Sequence, residues 1–174
     1  MTFLNNNIVR PSYDSLTNLL NIYNGKKDSL LEVGSYCGYS TFYFAKFFKK
    51  VYAVDKWQNG YDNDDPSSNS IEDAYTYFLK NMLLVNNVYP IKLSSVLASM
   101  LFEEKSIDVI YLDGCHQKQE VLNDLICWYS KVADNGMICG HDYYQSGVME
   151  AVDHFFDGKQ KIISDIEWYY ILEK

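Results

Sequence analysis

Short apolar runs alternate with longer amphipathic stretches along the chain, and this alternation restricts the fold more than any other feature. Near-continuous hydrophobic segments such as IDVIYLD, ending at Asp113, have the pattern of a strand covered on both faces. Strands of that kind build parallel sheets, and parallel strands need crossovers long enough to hold a helix. The segments Ser29–Val33, Val51–Asp55, Val88–Leu93, Ile107–Leu112 and Met137–His141 read as strands. Helices are predicted over Ser12–Tyr23, Ser40–Phe48, Ile71–Leu84, Val96–Phe102, Gln117–Tyr129 and Gly147–Phe156. The C-terminal region breaks the rhythm: KQKIISD and IEWYYILEK are two strand-like runs joined near Asp165, which predicts a hairpin closing one edge of the sheet.

With 174 residues, the chain is expected to fold as one domain over 1–174. Its formal net charge of −8 has the wrong sign for a protein held to phosphate backbones, so nucleic acid is not expected as a partner. No apolar stretch approaches the roughly 18 residues that span a bilayer, and MTFLNNNIVR lacks an apolar signal core. The expectation is a soluble, cytoplasmic protein with no membrane partner. Cys37, Cys115, Cys127 and Cys139 form no CxxC pair, which points to reduced thiols in or near the core. The segment Gln58–Ser70, rich in Gly, Asn, Asp, Ser and Pro, reads as a loop or lid, and Asp64 and Asp65 within it as solvated loop residues.

Open parallel sheets bind ligands beyond the carboxyl ends of their strands, so those ends carry the functional argument. The first strand runs into Glu32-Val-Gly34-Ser35-Tyr36-Cys-Gly38-Tyr-Ser40, a glycine-rich turn that opens a helix and offers its N–H groups to a polar ligand. Asp55 ends the second strand 21 residues after Gly34, the spacing of a carboxylate that accepts both hydroxyls of a ribose. Lys56 follows it. Tyr36 stands where a dinucleotide fingerprint requires its second glycine, which disfavours a nicotinamide-dinucleotide oxidoreductase. At the end of the third strand, Ser94 and Ser95 are candidates for ligand contact and equally good helix caps. Asp113 ends the fourth strand, His116 follows in its loop, and His141-Asp142 end the next strand, so carboxylates and imidazoles converge on neighbouring strand ends. Such a group can bind a divalent cation and leave a histidine to take a proton. Trp57 and Tyr143 are candidate walls for a substrate pocket.

The spacing E-x-G-x-x-x-G-x-S, met by Glu32, Gly34, Gly38 and Ser40, resembles motif I of class I S-adenosylmethionine-dependent methyltransferases, and Asp55 matches their ribose residue. The DGxH segment from Asp113 to His116 and the pair His141-Asp142 resemble small-molecule O-methyltransferases related to macrolide-sugar methyltransferases and the cephalosporin-hydroxylase group. The resemblance implies a Rossmann-like α/β three-layer sandwich with a mostly parallel seven-stranded sheet and an antiparallel closing strand. It implies S-adenosylmethionine as cofactor, bound by Glu32, Gly34, Ser35, Tyr36, Gly38, Ser40, Asp55, Lys56, Ser94, Ser95 and Asp113. Metal-dependent relatives hold Mg²⁺ at the positions of Asp113 and His141-Asp142 and use the DGxH histidine as base. This sequence departs from them at His141, where they carry a carboxylate, and a site with imidazole leans towards transition metals or towards no metal at all.

The expected activity is methyl transfer to a hydroxyl of a small molecule, sugar or phenol-like, with His116 and Asp113 as catalytic residues and a divalent cation on Asp113, His141 and Asp142. The rival readings are a nicotinamide-dinucleotide oxidoreductase and a non-catalytic S-adenosylmethionine-binding protein. A chain this small has little with which to cover an acceptor, which makes a homo-oligomer an expectation too.

Overall fold

A computed structural model describes residues 13–60, 62, 73–163 and 166–173. The described chain runs α1 (Tyr13–Ile22), β1 (Ser29–Val33), α2 (Tyr39–Phe44), β2 (Lys50–Asp55), α3 (Ala74–Met82) and β3 (Val88–Lys92). It continues through α4 (Ser95–Ser99), β4 (Ile107–Leu112), α5 (Lys118–Tyr129), β5 (Val132–Gly140), α6 (Ser146–Phe156), β6 (Lys161–Ile163) and β7 (Glu167–Ile171). The strands form one seven-stranded sheet in the order β3-β2-β1-β4-β5-β7-β6. β1 to β5 are mutually parallel, and β7 runs antiparallel to both β5 and β6. This is the Rossmann-like arrangement with an antiparallel closing strand.

All residues of β1 and β4 are buried, as their near-continuous apolar sequences predict. Side chains alternate between two cores, which is what makes three layers. Val109 and Tyr111 join Leu30, Val51 and Met137 against Leu16, Leu19 and Phe44 of α1 and α2. Ile110 and Leu112 join Leu31 and Ile138 against α5 and α6, through Val121, Leu125, Trp128, Val148 and Val152. Each helix presents a stripe at helical spacing, such as Leu16, Leu19 and Leu20 on α1. A third cluster, with Ala53, Trp57, Phe78 and Met82, packs α3 beneath the turn after β1.

β1 and β4 have the boundaries read from the sequence, and most other elements shift by a few residues at their ends. β5 differs more: it begins at Val132, five residues before the predicted start. Its partner residues jump from Ile107↔Val132 to Val109↔Met137, so residues 133–136 bulge out of the ladder. Asn135 there adopts φ 61, a turn-like conformation that hides the strand in the sequence. β5 ends at Gly140, which leaves His141 just past the strand. The sheet's margins are β3, where Pro90 sits on the outer strand beside Ala53, and β6, which is three residues long. Most of Gln58–Ser70, including Asp64 and Asp65, and the ends of the predicted first and third helices at Ser12, Ile71 and Glu72 lie outside the described residues. Among the described residues no helix is long and apolar enough to cross a membrane.

Candidate active site

The turn between β1 and α2 is shaped by contacts that only its own residues permit. Gly34 has φ +90, and a Cβ built on it would stand 1.9 Å from the carbonyl oxygen of Asp113, so the loops after β1 and β4 touch here. Beneath the turn, the fully buried Glu32 accepts hydrogen bonds from the Ser40 and Thr41 hydroxyls at the start of α2. Burial pushes the Glu32 carboxyl upward, and the two hydroxyls oppose that shift. Ser35 is buried in the turn and Tyr36 adopts φ 43, a left-handed conformation.

Asp55 holds that conformation in place. One carboxylate oxygen accepts the Tyr36 N–H at 2.8 Å and the other accepts the Trp57 N–H at 2.6 Å. Trp57 Nε1 in turn donates to the Tyr36 carbonyl at 2.7 Å. A carboxylate has about four lone-pair sites, so two backbone donors leave room for two hydroxyls of a ribose. Trp57 is buried against Tyr75 and Phe78, so it braces the turn from below and does not wall a pocket. Lys56 is exposed beside Asp55.

The third strand's end is occupied differently. Ser94 is the N-cap of α4, its Oγ accepting from the Leu97 N–H at 3.4 Å. Ser95 Oγ accepts from Trp128 Nε1 at 2.7 Å, which ties α4 to α5.

Asp113, His116, His141 and Asp142 come together as their strand-end positions imply. His116 Nε2 lies 3.0 Å from Asp142 Oδ2. His141 Nδ1 lies 3.0 Å from Asp142 Oδ1 and 3.8 Å from Asp113 Oδ1. Asp142 adopts φ 58, a conformation uncommon outside glycine that aims its carboxylate between the two imidazoles. Burial acts to raise Asp142, but hydrogen bonds from His116 and His141 and their charges hold it well below the usual carboxylate range. Burial acts to lower His141, yet Asp113, Asp142 and Glu167 outweigh it and push the imidazole up to about 9. Burial pushes Asp113 up, with the His141 charge pulling against it and Asp142 adding to the rise.

Two participants, Asp62 and Glu167, were not singled out in the sequence. Asp62, nearly fully buried, accepts the His116 backbone N–H at 2.9 Å, and its Oδ2 lies 3.4 Å from His116 Nδ1. Glu167, at the start of β7, is fully buried 4.0 Å from His141 Nε2 and accepts from Ser15 of α1. Trp168 lines the same cleft as the histidines, its buried Nε1 without a hydrogen-bond partner among the described residues. The cleft is open to solvent, and Asp113, His116 and Asp142 line it. Tyr143 faces Asp153 and Gln160 instead of this cleft, so Trp168 takes the walling role expected of it.

Asp113, His141 and Asp142 each offer one ligand atom, all within 4.8 Å of one another. This mixed nitrogen and oxygen set fits a divalent transition ion better than Mg²⁺, which prefers oxygen alone. The remaining acceptor capacity of Asp55 and the turn's N–H groups fit the ribose and polar end of a nucleoside cofactor.

A family model described as a methyltransferase domain matches residues 31–143, the stretch that contains the turn, Asp55, Asp113, His116 and Asp142. No curated protein sequence matches the chain. Among solved structures, a Streptococcus mutans protein assigned as a methyltransferase and solved with S-adenosylhomocysteine is similar, with 14% identity and a TM-score of 0.67 over 94% of this chain and 98% of that one. The O-methyltransferase NovP has 17% identity and a TM-score of 0.65 over 93% of this chain and 78% of its own. An rRNA methylase from Streptococcus thermophilus has 15% identity and a TM-score of 0.65 over 96% and 98%. These likenesses concern the fold. The family match spans most of the chain and all of its strand-end motifs, and the chain belongs to the methyltransferase-domain family of S-adenosylmethionine-dependent methyltransferases.

Proposed function

We propose that the protein transfers the methyl group of S-adenosylmethionine to a hydroxyl of a small molecule, with His116 as general base. The observation that carries this reading is His116 Nε2 at 3.0 Å from Asp142 Oδ2, beside Asp113 and one strand from the glycine turn. Bound S-adenosylmethionine supplies an electrophilic methyl on a sulfonium. The chain's residues do the rest. Asp62 faces His116 Nδ1, which leaves Nε2 as the nitrogen that takes the hydroxyl proton. The acceptor hydroxyl enters where Nε2 now meets Asp142, and the Asp142 carboxylate then stabilises the imidazolium. Glu32, through Ser40 and Thr41, and Asp55, through the Tyr36 N–H, hold the turn that presents the cofactor. A divalent cation on Asp113, His141 and Asp142 would lower the acceptor's pKa as a Lewis acid. The net charge of −8 favours a small acceptor over an RNA one.

Calorimetry with S-adenosylmethionine, S-adenosylhomocysteine and NAD tests the cofactor, and transfer of labelled methyl to a panel of sugars, phenols and RNA tests the acceptor. Binding of the adenosyl ligands and label on a hydroxylated small molecule are expected. Label recovered on RNA, or NAD binding alone, overturns the proposal. Replacing the base lowers rates by about 10² to 10⁴, so His116→Ala should lose that much turnover with S-adenosylhomocysteine affinity nearly unchanged.

A further inference from the structure

We infer that the sheet margin built by α3, β3 and α4 is a docking face for a second copy of this chain, the two copies related by a two-fold axis. The inference is independent of the methyl-transfer reading and can fail without touching it.

Among the described residues, fifteen large hydrophobic side chains are exposed, and nine of them fall between Leu79 and Leu101. Their placement follows from the topology. β3 is the outermost strand, and α3 and α4 flank it on opposite faces of the sheet, Val88 packing with α3 and Ile91 in the core that holds Ala98 of α4. α4 is built inside out: its inward positions are small, Ala98 and Ser99, whereas Val96, Leu97, Met100 and Leu101 recur at helical spacing on its outward side. Backbone hydrogen bonds continue the helical turn to Phe102, so these four side chains share one face, on which Met100 is 73% exposed. Tyr89 of β3 lies on the same side of the sheet, its ring 5.6 Å from Tyr52, which stands 5.0 Å from Phe102. Around the strand, Leu79, Leu83 and Leu84 expose the carboxyl end of α3, with Leu83 82% exposed just before the chain enters β3.

Charge and area decide what fits this face. From Asn81 to Phe102 Lys92 is the only charged residue, whereas 22% of the whole chain is charged. Lys92 is held to α3, its Nζ 4.6 Å from the centre of the Tyr75 ring. A partner selected by charge, such as nucleic acid or an anionic lipid surface, finds no basic patch there. A second copy brings the same uncharged face, so molecules of net charge −8 can meet where no carboxylates oppose one another. The nine side chains, 37% to 82% exposed, present on the order of 800 Å², which is the share each partner contributes to a standard interface and more than a monomer ordinarily leaves bare.

The test is sedimentation velocity with light scattering on the full chain over a concentration series. A dimer with a Kd of about 10 μM or tighter is expected. Met100→Glu and Leu83→Glu each bring two like charges into one interface, one from each copy, and each should weaken dimerisation about a hundredfold. The double variant should be monomeric at roughly 100 μM. Met100→Gln, which adds no charge, should weaken the dimer about tenfold and guards against a folding failure in the charged variants. Ile126→Glu, at an exposed apolar position on α5 outside the face, should leave the dimer intact. Thermal melts establish that each variant is folded. A wild type that stays monomeric at about 100 μM, a dimer that survives the double substitution, or one that Ile126→Glu breaks as readily, overturns the inference. A trimer or larger ring excludes the two-fold pairing and overturns it as well. Flotation of the wild type with neutral or anionic phospholipid vesicles would assign the face to a lipid surface instead.

Discussion

Asp124, a buried carboxylate on α5, is where a single residue sets a pH dependence. Burial is the main cause that raises its carboxyl from 3.8 to about 6, with the Ser95 hydrogen bond opposing and Glu120 adding a little. A carboxyl raised in the fold is at no disadvantage below the unfolded value and loses stability as pH climbs through the folded one. Asp124→Asn should therefore match the wild type below about pH 4 and exceed it above about pH 6, by up to roughly 3 kcal/mol. Thermal melts of both proteins between those limits check the divergence, and parallel curves would contradict the assigned cause. Residues like this one were hidden in the sequence for a physical reason. Asp113, His116 and Asp142 follow strands, so the strand pattern alone brings them to one edge. Asp62, Asp124 and Glu167 reach the site from a loop, a helix flank and the start of an antiparallel strand, positions fixed only by tertiary packing.

At the scale of elements, the β1–α2 turn is the joint on which the site depends. Gly34→Ala would force a Cβ to 1.9 Å from the Asp113 carbonyl at φ +90, combining overpacking with backbone strain. The two effects together predict a loss on the order of 3 kcal/mol, with S-adenosylhomocysteine binding falling alongside. Gly158 has φ +67 but nothing within 4 Å of its Cβ position, so Gly158→Ala should cost only about 1 to 2 kcal/mol. Chemical denaturation of the two variants measures the difference. β1 and β4 were legible to the residue because burial on both faces favours a near-continuous apolar sequence, here broken only by Ser29, Glu32 and Asp108. The start of β5 was not, since Ala133–Gly136 carry turn residues and bulge out of the ladder. The closing hairpin was readable as two strands, although its sequence gave no sign that β7, and not β6, would pair with β5.

For the whole molecule, α1 and β7 meet at the chemistry. Ser15 of α1 donates to Glu167 of β7, and Glu167 stands 4.0 Å from His141, so the metal-competent cluster is braced by both flanks of the fold. An ion bound there stabilises the folded state alone, by about 2.7 kcal/mol at a hundredfold excess over its Kd. For a chain of this size that predicts a rise in melting temperature of roughly 5 to 10 °C. Mn²⁺ should produce it at lower concentration than Mg²⁺, because one ligand is an imidazole. No shift with either ion would remove the metal from the site, and equal shifts with both would contradict the preference that the imidazole ligand predicts.

The sheet's two margins have a consequence for how the molecules behave in company. Pro90 removes a backbone donor from the outer strand β3, and β6 at the other margin offers only three residues of ladder. A second chain that tried to continue the hydrogen-bonded ribbon would find no long template at either border. Growth into fibrils by strand addition is thereby discouraged at both borders, and the hydrogen-bonding capacity of the sheet is spent almost entirely within one molecule.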